Sequence, residues 1–345
     1  MVMIGVDPHK ATHTAVAIDN GERVLGERLV RASQRQVPEL VSWAKHLDGG
    51  DRVWAIESAG GLGYLLAQQL LAVGETVVDI PATLASRVRV LGSGRSDKND
   101  PNDARSVAIA ALRAPQLVPV RVEDHASVLR LLARRHTQLA WTYNKTACRL
   151  HALLAELVPA GIGKELVVSQ ARSLLGSYQP CGAVERERHL LAEEMLDELE
   201  HLASQRKTAR TRIRTAVAAS GTSLVEIFGV GDVVAAIIIG QVGDIGRFRT
   251  ADRFGAYNGT APIEWSSGNP KRPVHRLSRR GNRTLNHAIH IVAVTQLRHR
   301  HSPGRAFYDR KRSEGQTGRE AIRSLKRRIS DVIYRHLVAD AARAR

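Results

Sequence analysis

The stretch SDKNDPNDARSVAIAALRA, residues 96–114, sets Asp97, Asp100 and Asp103 three residues apart where an apolar-faced helix begins. Carboxylates near a helix start cap free N–H groups and suit the positive end of the helix dipole, but one or two acids suffice for that. Asp97 is assigned here to this ordinary capping or loop role. Asp100 and Asp103 lie one turn apart and share a helix face. Two further acids close apolar runs: Asp7 ends MVMIGVD, and Glu57 ends the run in RVWAIES. Four carboxylates converging on one place would repel one another strongly unless cations sat between them. An all-oxygen donor set favours Mg2+ or Mn2+, and two such ions can clamp the attacking and leaving oxygens of a phosphodiester. The Asp stretch by itself is equally well explained by surface acids and one cap. The strand-end Asp and Glu turn the reading toward a metal site.

Those acids need elements to hold them. MVMIGVD reads as a short buried strand, THTAVAIDN as an alternating one, and RVLGERLV as a third, with Asn20-Gly21 as a hairpin turn between the last two. SQRQVPELVSWAKHL has helical spacing, RVWAIES is a buried strand, GLGYLLAQQLLAVG a helix and ETVVDIP a strand. The helix at 101–113 closes a βββαβαβα order, which predicts a mixed sheet with helices on its faces. Ligands of open α/β sheets collect beyond the carboxyl ends of strands, where Asp7 and Glu57 fall.

From about residue 122 the pattern changes to long helices. Leu132, His136, Leu139, Tyr143, Ala147, Leu150, Leu154 and Leu157 keep three/four spacing. So do Leu191, Met195, Leu199 and Leu202, then Ala209 and Ile213. The break LLGSYQPCG lies between, so an antiparallel, coiled-coil-like pair is expected, serving as a stalk or dimer interface. The fold class is therefore α/β followed by mainly α. Three parts are expected: 1–115 carrying the acids, 116–220 as a helical connector, and 221–345.

Of 345 residues, 51 are Lys or Arg and 34 are Asp or Glu, a formal charge of +17. Residues 1–115 balance, 116–263 carry +3, and 264–345 hold 20 basic against 6 acidic residues, giving +14. A basic block so concentrated points to a polyanion, most simply nucleic acid. No apolar run is long enough to span a membrane and no signal peptide opens the chain, so a cytoplasmic protein is expected. Cys148 and Cys181 are too few for a disulfide framework or a cysteine zinc site. His287, His290, His299 and His301 show no spacing that makes a zinc site, and His9, two residues past Asp7, is within reach of the acids but more simply read as solvated.

In the last third, Gly229-Val230-Gly231 is a tight turn before an apolar helix starting near Asp232. Two glycines allow a phosphate to approach the backbone, and a helix N-terminus offers N–H groups to it. Ser267-Gly268 follows in a Gly/Ser/Pro-rich segment beside Lys271 and Arg272. Composition alone does not distinguish Ser267 from its neighbour Ser266 or from any loop serine. Trp265 before them suits packing or base stacking. Arg279, Arg280 and Arg283 are placed for phosphates. Lys326, Arg327 and Arg328 lie on a helix whose apolar side holds Ile322, Leu325, Ile329 and Ile333. That basic face is either merely solvated or a nucleic-acid contact.

Taken together, the strand order with Asp7, Glu57, Asp100 and Asp103 resembles the RuvC-like branch of the RNase H fold. DKNDPNDARSVA is similar to the K-T-D-x-x-D-A-x-x-L-A signature of the DEDD transposases of bacterial insertion sequences, the Piv-like, bridge-RNA-guided recombinases, with Asn99 where Thr is usual. IFGVGDVVAAIIIGQVGDIGRF, AYNG and SSG match the second domain of that family, which contains a helix-hairpin-helix element. HRLSRRGNRTLNHA continues the match, with Asn286 in place of an Arg. The resemblance spans nearly the whole chain. It implies a DNA transposase in which Asp7, Glu57, Asp100 and Asp103 hold Mg2+ or Mn2+ and Ser267, the serine before Gly, attacks the phosphodiester. It implies DNA contacts at Gly229, Gly231, Lys271, Arg272, Arg279, Arg280, Arg283, Lys326, Arg327 and Arg328. It also implies a structured guide RNA, a homo-oligomer (dimer, then tetramer) and a bacterial, nucleoid-associated setting. Two rivals stand beside it: a junction-resolving metal nuclease that uses water as nucleophile, and a non-catalytic DNA-binding protein that has kept the fold.

Overall fold

The computed structural model describes residues 1–47, 51–93, 99–115, 117–159, 163, 166–264, 275–277 and 281–343. The chain folds as two compact units, Met1–Glu123 and Asp124–Arg345.

In the first unit, β1 (Val2–Pro8), β2 (Thr12–Ile18) and β3 (Val24–Arg31) run antiparallel in succession. They are followed by α1 (Gln36–Leu47), β4 (Arg52–Glu57), α2 (Tyr64–Ala72), β5 (Val77–Ile80), α3 (Ala82–Ser93), α4 (Asp100–Arg113) and β6 (Val118–Pro119). The strand order is β3-β2-β1-β4-β5-β6, with β4 parallel to β1 and to β5, and β6 antiparallel to β5. Every residue of β1 is buried, because helices cover both faces of the sheet. This is why the strand reads as a continuous apolar run rather than an alternation. Val2, Ile4, Val6, Trp54 and Ile56 pack toward α1 and α2, through Leu40, Leu66 and Leu70. Met3, Val16, Ile18 and Ala55 pack toward α3 and α4, through Ala85, Ala104, Val107 and Ala108.

Gly5 sits on the second face, directly beneath α4. A Cβ there would lie 2.0 Å from the Ala104 carbonyl oxygen and 2.5 Å from the Ala108 nitrogen. The missing side chain lets a helix backbone rest on a strand backbone.

The expected βββαβαβα order is met with two additions. ATLASRVRVLGS, whose arginines break the apolar spacing, forms α3, and two residues form β6. The Asn20-Gly21 turn also differs in detail. Glu22 takes the left-handed conformation at φ 65°, and the Asp19 carboxylate accepts from the Gly21 and Arg23 backbone nitrogens.

The second unit begins with α5 (His125–Leu157), α6 (Val168–Ser177) and α7 (Gly182–Ala219), and continues with α8 (Asp232–Val242), α9 (Ala251–Tyr257), β7 (Pro262–Glu264), β8 (His275–Leu277), α10 (Arg283–Arg298), α11 (Pro303–Ser313) and α12 (Gly318–Arg343). α5 and α7 run antiparallel. Leu150 and Leu154 pack with Ala192, Leu196 and Leu199, and Leu139 packs with Leu202 and Ala209. Leu129 and Ala133 join Ile213 and Val217 in a core shared with α8, α10 and α12. The seam on α7 is one residue off the sequence reading at its start. Ala192 and Leu196 are buried, whereas Leu191 is 39% exposed. Among the described residues no helix is long and apolar enough to cross a membrane.

Candidate active site

The register of β1 and β4 places Val6 opposite Ile56. One residue further on, Asp7 and Glu57 stand together at the carboxyl ends of neighbouring strands, close enough for each to act on the other's proton. Helix α4 adds Asp100 and Asp103 from its first turn. The cap of that helix is Asn99, whose side chain accepts from the Asn102 nitrogen at 2.9 Å. Asp97, expected as a cap or loop acid, lies outside the described residues. With the helix start already capped, Asp100 and Asp103 are left for another use.

Asp7 and Asp103 are both 8% exposed. Burial is the main cause that pushes the Asp7 carboxyl above the ordinary range; the charges of Asp103 and Asp100 add to it, while His9 opposes it. Burial also raises Glu57, helped by Asp7 and Asp103 and opposed by Arg89. The four acids therefore feel one another. Three of them, Asp7, Glu57 and Asp103, border a cavity of about 410 Å³ whose walls also include His9, Arg89 and Ser106. Arg89 of α3 reaches in and forms an ion pair with Asp103. On the side of Asp100, one carboxylate oxygen each from Asp7 and Asp100 and a ring nitrogen of His9 all lie within 4.8 Å of one another. Clustered carboxylate oxygens, two of them on groups whose negative charge is held at a cost, fit a divalent cation, and the imidazole adds a nitrogen donor to the set.

The sequence gives His9 a weak signal and Arg89 none. For His9, two residues past a strand-end Asp is a short reach. Arg89 has none, because arginines interrupt the apolar spacing of its segment.

In the second unit the glycine turn is present. Gly229 is left-handed (φ 88°), Gly231 precedes α8 at its cap position, and nothing lies within 4 Å of where a Gly231 Cβ would be. β7 and β8 pair antiparallel. Residues 265–274 between them, with Trp265, Ser266, Ser267, Lys271 and Arg272, lie outside the described residues, as do Arg279 and Arg280.

The roots of this segment are held by buried polar groups. Asn258 is fully buried. It donates to Ser330 Oγ at 2.8 Å and accepts from Thr260 Oγ1 at 2.7 Å, while Asn286 Nδ2 donates to its carbonyl at 2.7 Å. Gly281, at φ 116°, closes against the Tyr257 carbonyl. Asn282 then caps α10 and donates to Gln241 and Tyr257. Arg283, the next residue, is exposed.

The tail cations are not alike. Lys326 donates to Asn286 Oδ1 at 2.6 Å, and burial pushes its ammonium pKa down. Arg327 lies 2.7 Å from Asp252 and 3.0 Å from Asp331. Arg328 is exposed, over the Phe307 ring. As phosphate contacts, Lys326 and Arg327 would each first have to leave a partner within the chain. His299 and His301 pack edge-on against Phe228.

A mixed sheet of three antiparallel strands extended by two parallel ones, with acids at the ends of β1 and β4 and on the helix covering them, defines an RNase H/RuvC-like carboxylate domain. Here it is followed by a mainly helical unit. A family model described as a transposase, of the DEDD type named for IS110, matches residues 4–159. The model of the transposase IS116/IS110/IS902 family matches residues 221–309. The insertion element IS116 uncharacterized 44.8 kDa protein of Streptomyces clavuligerus is 26% identical, over 96% of this chain and 94% of that one. The corresponding IS900 42 kDa protein of Mycobacterium paratuberculosis is 27% identical over the same shares. The transposase for insertion sequence element IS1111A of Coxiella burnetii is 28% identical, over 86% of this chain and 78% of that one. Among solved structures, T. thermophilus RuvC in complex with a Holliday junction substrate aligns over 35% of this chain and 99% of that one, with 17% identity and a TM-score of 0.28. The strand order and the placement of the acids, rather than that overlay, carry the fold assignment. The chain belongs to the IS110 family of DEDD transposases.

Proposed function

We propose that this transposase cuts and rejoins the DNA of an insertion sequence by serine attack on the phosphodiester. The observation that carries the reading is the convergence of Asp7, Glu57, Asp100 and Asp103 on one end of the sheet, with α4 capped independently of its acids. Asp7, Glu57, Asp100 and Asp103 would hold Mg2+ or Mn2+, which when bound supplies positive charge to a reacting phosphate.

Ser267 supplies the nucleophile. Its Oγ forms a bond to phosphorus, the bond from phosphorus to a sugar oxygen breaks, and the serine proton ends on that oxygen. The phosphoserine link conserves the phosphoester, so the strand can be rejoined without an external energy source. Gly229, Gly231 and Arg283, with Lys271, Arg272, Arg279, Arg280 and Arg328, bind the backbone electrostatically; Lys326 and Arg327 join them after exchanging their internal partners. The family resemblance supports a structured guide RNA that selects both DNA partners. It also supports division of labour among 1–115, 116–220 and 221–345, with the long helices joining copies into a dimer and then a tetramer.

The test is the covalent adduct. Protein bearing its co-purified nucleic acid is incubated with labelled element-end DNA and Mg2+, then denatured. Ser267→Ala is expected to lose both cleavage and the protein–DNA band, while Ser266→Ala keeps them. Cleavage that persists in Ser267→Ala without an adduct would establish the water-using junction nuclease instead.

A further inference from the structure

The helical pair carries a charge pattern that its modest net charge conceals. α7 begins with seven acids and two arginines over 182–200, then has five cations and no acid over 201–219. The part of α5 that packs beside that second half, residues 125–149, has Arg130, Arg134, Arg135, Lys145 and Arg149 and also no acid. The apolar seam of α5 faces α7 and the helical core. Its outer side presents Arg134, Trp141, Lys145 and Arg149, all exposed, at spacings that keep them on one stripe. Over this stretch the helix is roughly 22 Å long. Trp141 stands in the middle and is 72% exposed, the most exposed of the large hydrophobic side chains described. An indole left in water amid cations is costly unless something covers it.

We infer that this stripe of α5 binds single-stranded nucleic acid, with the cations on successive phosphates and Trp141 stacked on an unpaired base. The charge selects a polyanion, and the absence of any acid removes local competitors for those cations. The flat apolar ring selects a polyanion whose bases are free, since a duplex hides its base faces. A protein partner of matching acidity would satisfy the charge but leave the ring without a specific partner. This goes beyond the assembly role given above to the long helices, and it does not depend on Ser267 or on the metal site.

The test uses the full chain, freed of bound nucleic acid, with a 20-nucleotide oligouridine and the matching oligothymidine, each also made with a 5-bromo base for cross-linking under long-wave ultraviolet light. Binding is followed by anisotropy across a salt series. The expected cross-linked peptide contains Trp141. Arg134→Ala/Lys145→Ala/Arg149→Ala is expected to remove that cross-link, weaken binding by about tenfold or more, and lower the slope of log affinity against log salt by about 2. Trp141→Ala is expected to weaken binding about tenfold with the slope unchanged, and Trp141→Phe to retain most of it. RNA and DNA arms that differ say which strand the stripe prefers; either supports the assignment. The inference is overturned if cross-links fall only elsewhere and the slope is unchanged in the triple variant. It is equally overturned if Trp141→Ala leaves affinity intact but converts an oligomer to monomer by light scattering, which would make the face a contact between copies. Circular dichroism of each variant keeps loss of folding from being mistaken for loss of binding.

Discussion

Asp7 and Glu57 hold their protons more tightly in the folded chain than carboxyls do in water, because Asp7 is buried, Glu57 half-buried, and both face other acids. The folded state therefore binds more protons than the unfolded one just above the ordinary carboxylate range. Stability from these groups falls as pH rises through that window and stays lower beyond it. Without divalent cation, Asp7→Asn is expected to melt a few degrees higher than the parent at neutral pH, about 1 kcal/mol, and the gain should shrink as pH drops through the carboxylate range. Saturating Mn2+ should reverse the order, because only the parent keeps the full donor set. Equal melting curves at every pH would remove the case for electrostatic tension in the site. At this scale the acids were legible in the sequence, since a carboxylate at the end of an apolar strand is chemically conspicuous. His9 was legible only as a residue close in sequence to Asp7, and Arg89 not at all, because an arginine in a segment without clear apolar spacing looks the same as any other. The buried Asn258 network was equally hidden; its partners Ser330 and Asn286 are distant in sequence and only the fold brings them together.

At the scale of elements, the site depends on how closely α4 lies on β1. Gly5→Ala forces a methyl into the helix backbone, and overpacking of this kind costs typically about 1–3 kcal/mol. The expected outcome is a lower melting temperature together with Mn2+ affinity reduced at least about tenfold, measured by titration calorimetry on the folded protein. Unchanged affinity would show that Asp100 and Asp103 do not act with Asp7. Most strands of the sheet were readable because burial on both faces imposes continuous apolar runs, as in β1 and β4, while β2 showed by its alternation. α3 escaped because its arginines interrupt the apolar pattern, and one of those arginines serves the site instead of the surface. The slip of one residue at the start of α7 has a simple origin. Leu190, Leu191 and Met195 offer a second plausible seam, and only packing against Leu150 and Leu154 selects Ala192 and Leu196.

The whole molecule comprises two compact units, and all four carboxylates belong to the first. Scanning calorimetry is expected to resolve two transitions, of which divalent cation raises one, since a ligand stabilises what it binds. A single transition shifted by metal as a whole would mean that the two units unfold cooperatively. The two-part division could not be read from sequence, because the helical periodicity of α5 and α7 is continuous while their inner ends enter the core of α8, α10 and α12. The polarity of the helical pair was similarly hidden, since opposite charges on its two halves nearly cancel in the sum for residues 116–263.

Gly5 also has a consequence for heredity. It bears no functional group, yet a single methyl there would be scored in a mutational screen alongside loss of a carboxylate. Such a lesion should lack local suppressors. The atoms closest to the intruding methyl belong to the main chain of Ala104 and Ala108, and no codon change at those positions removes a carbonyl oxygen or an amide nitrogen. Revertants of a Gly5 variant should therefore be restored glycine, or changes that move the whole helix.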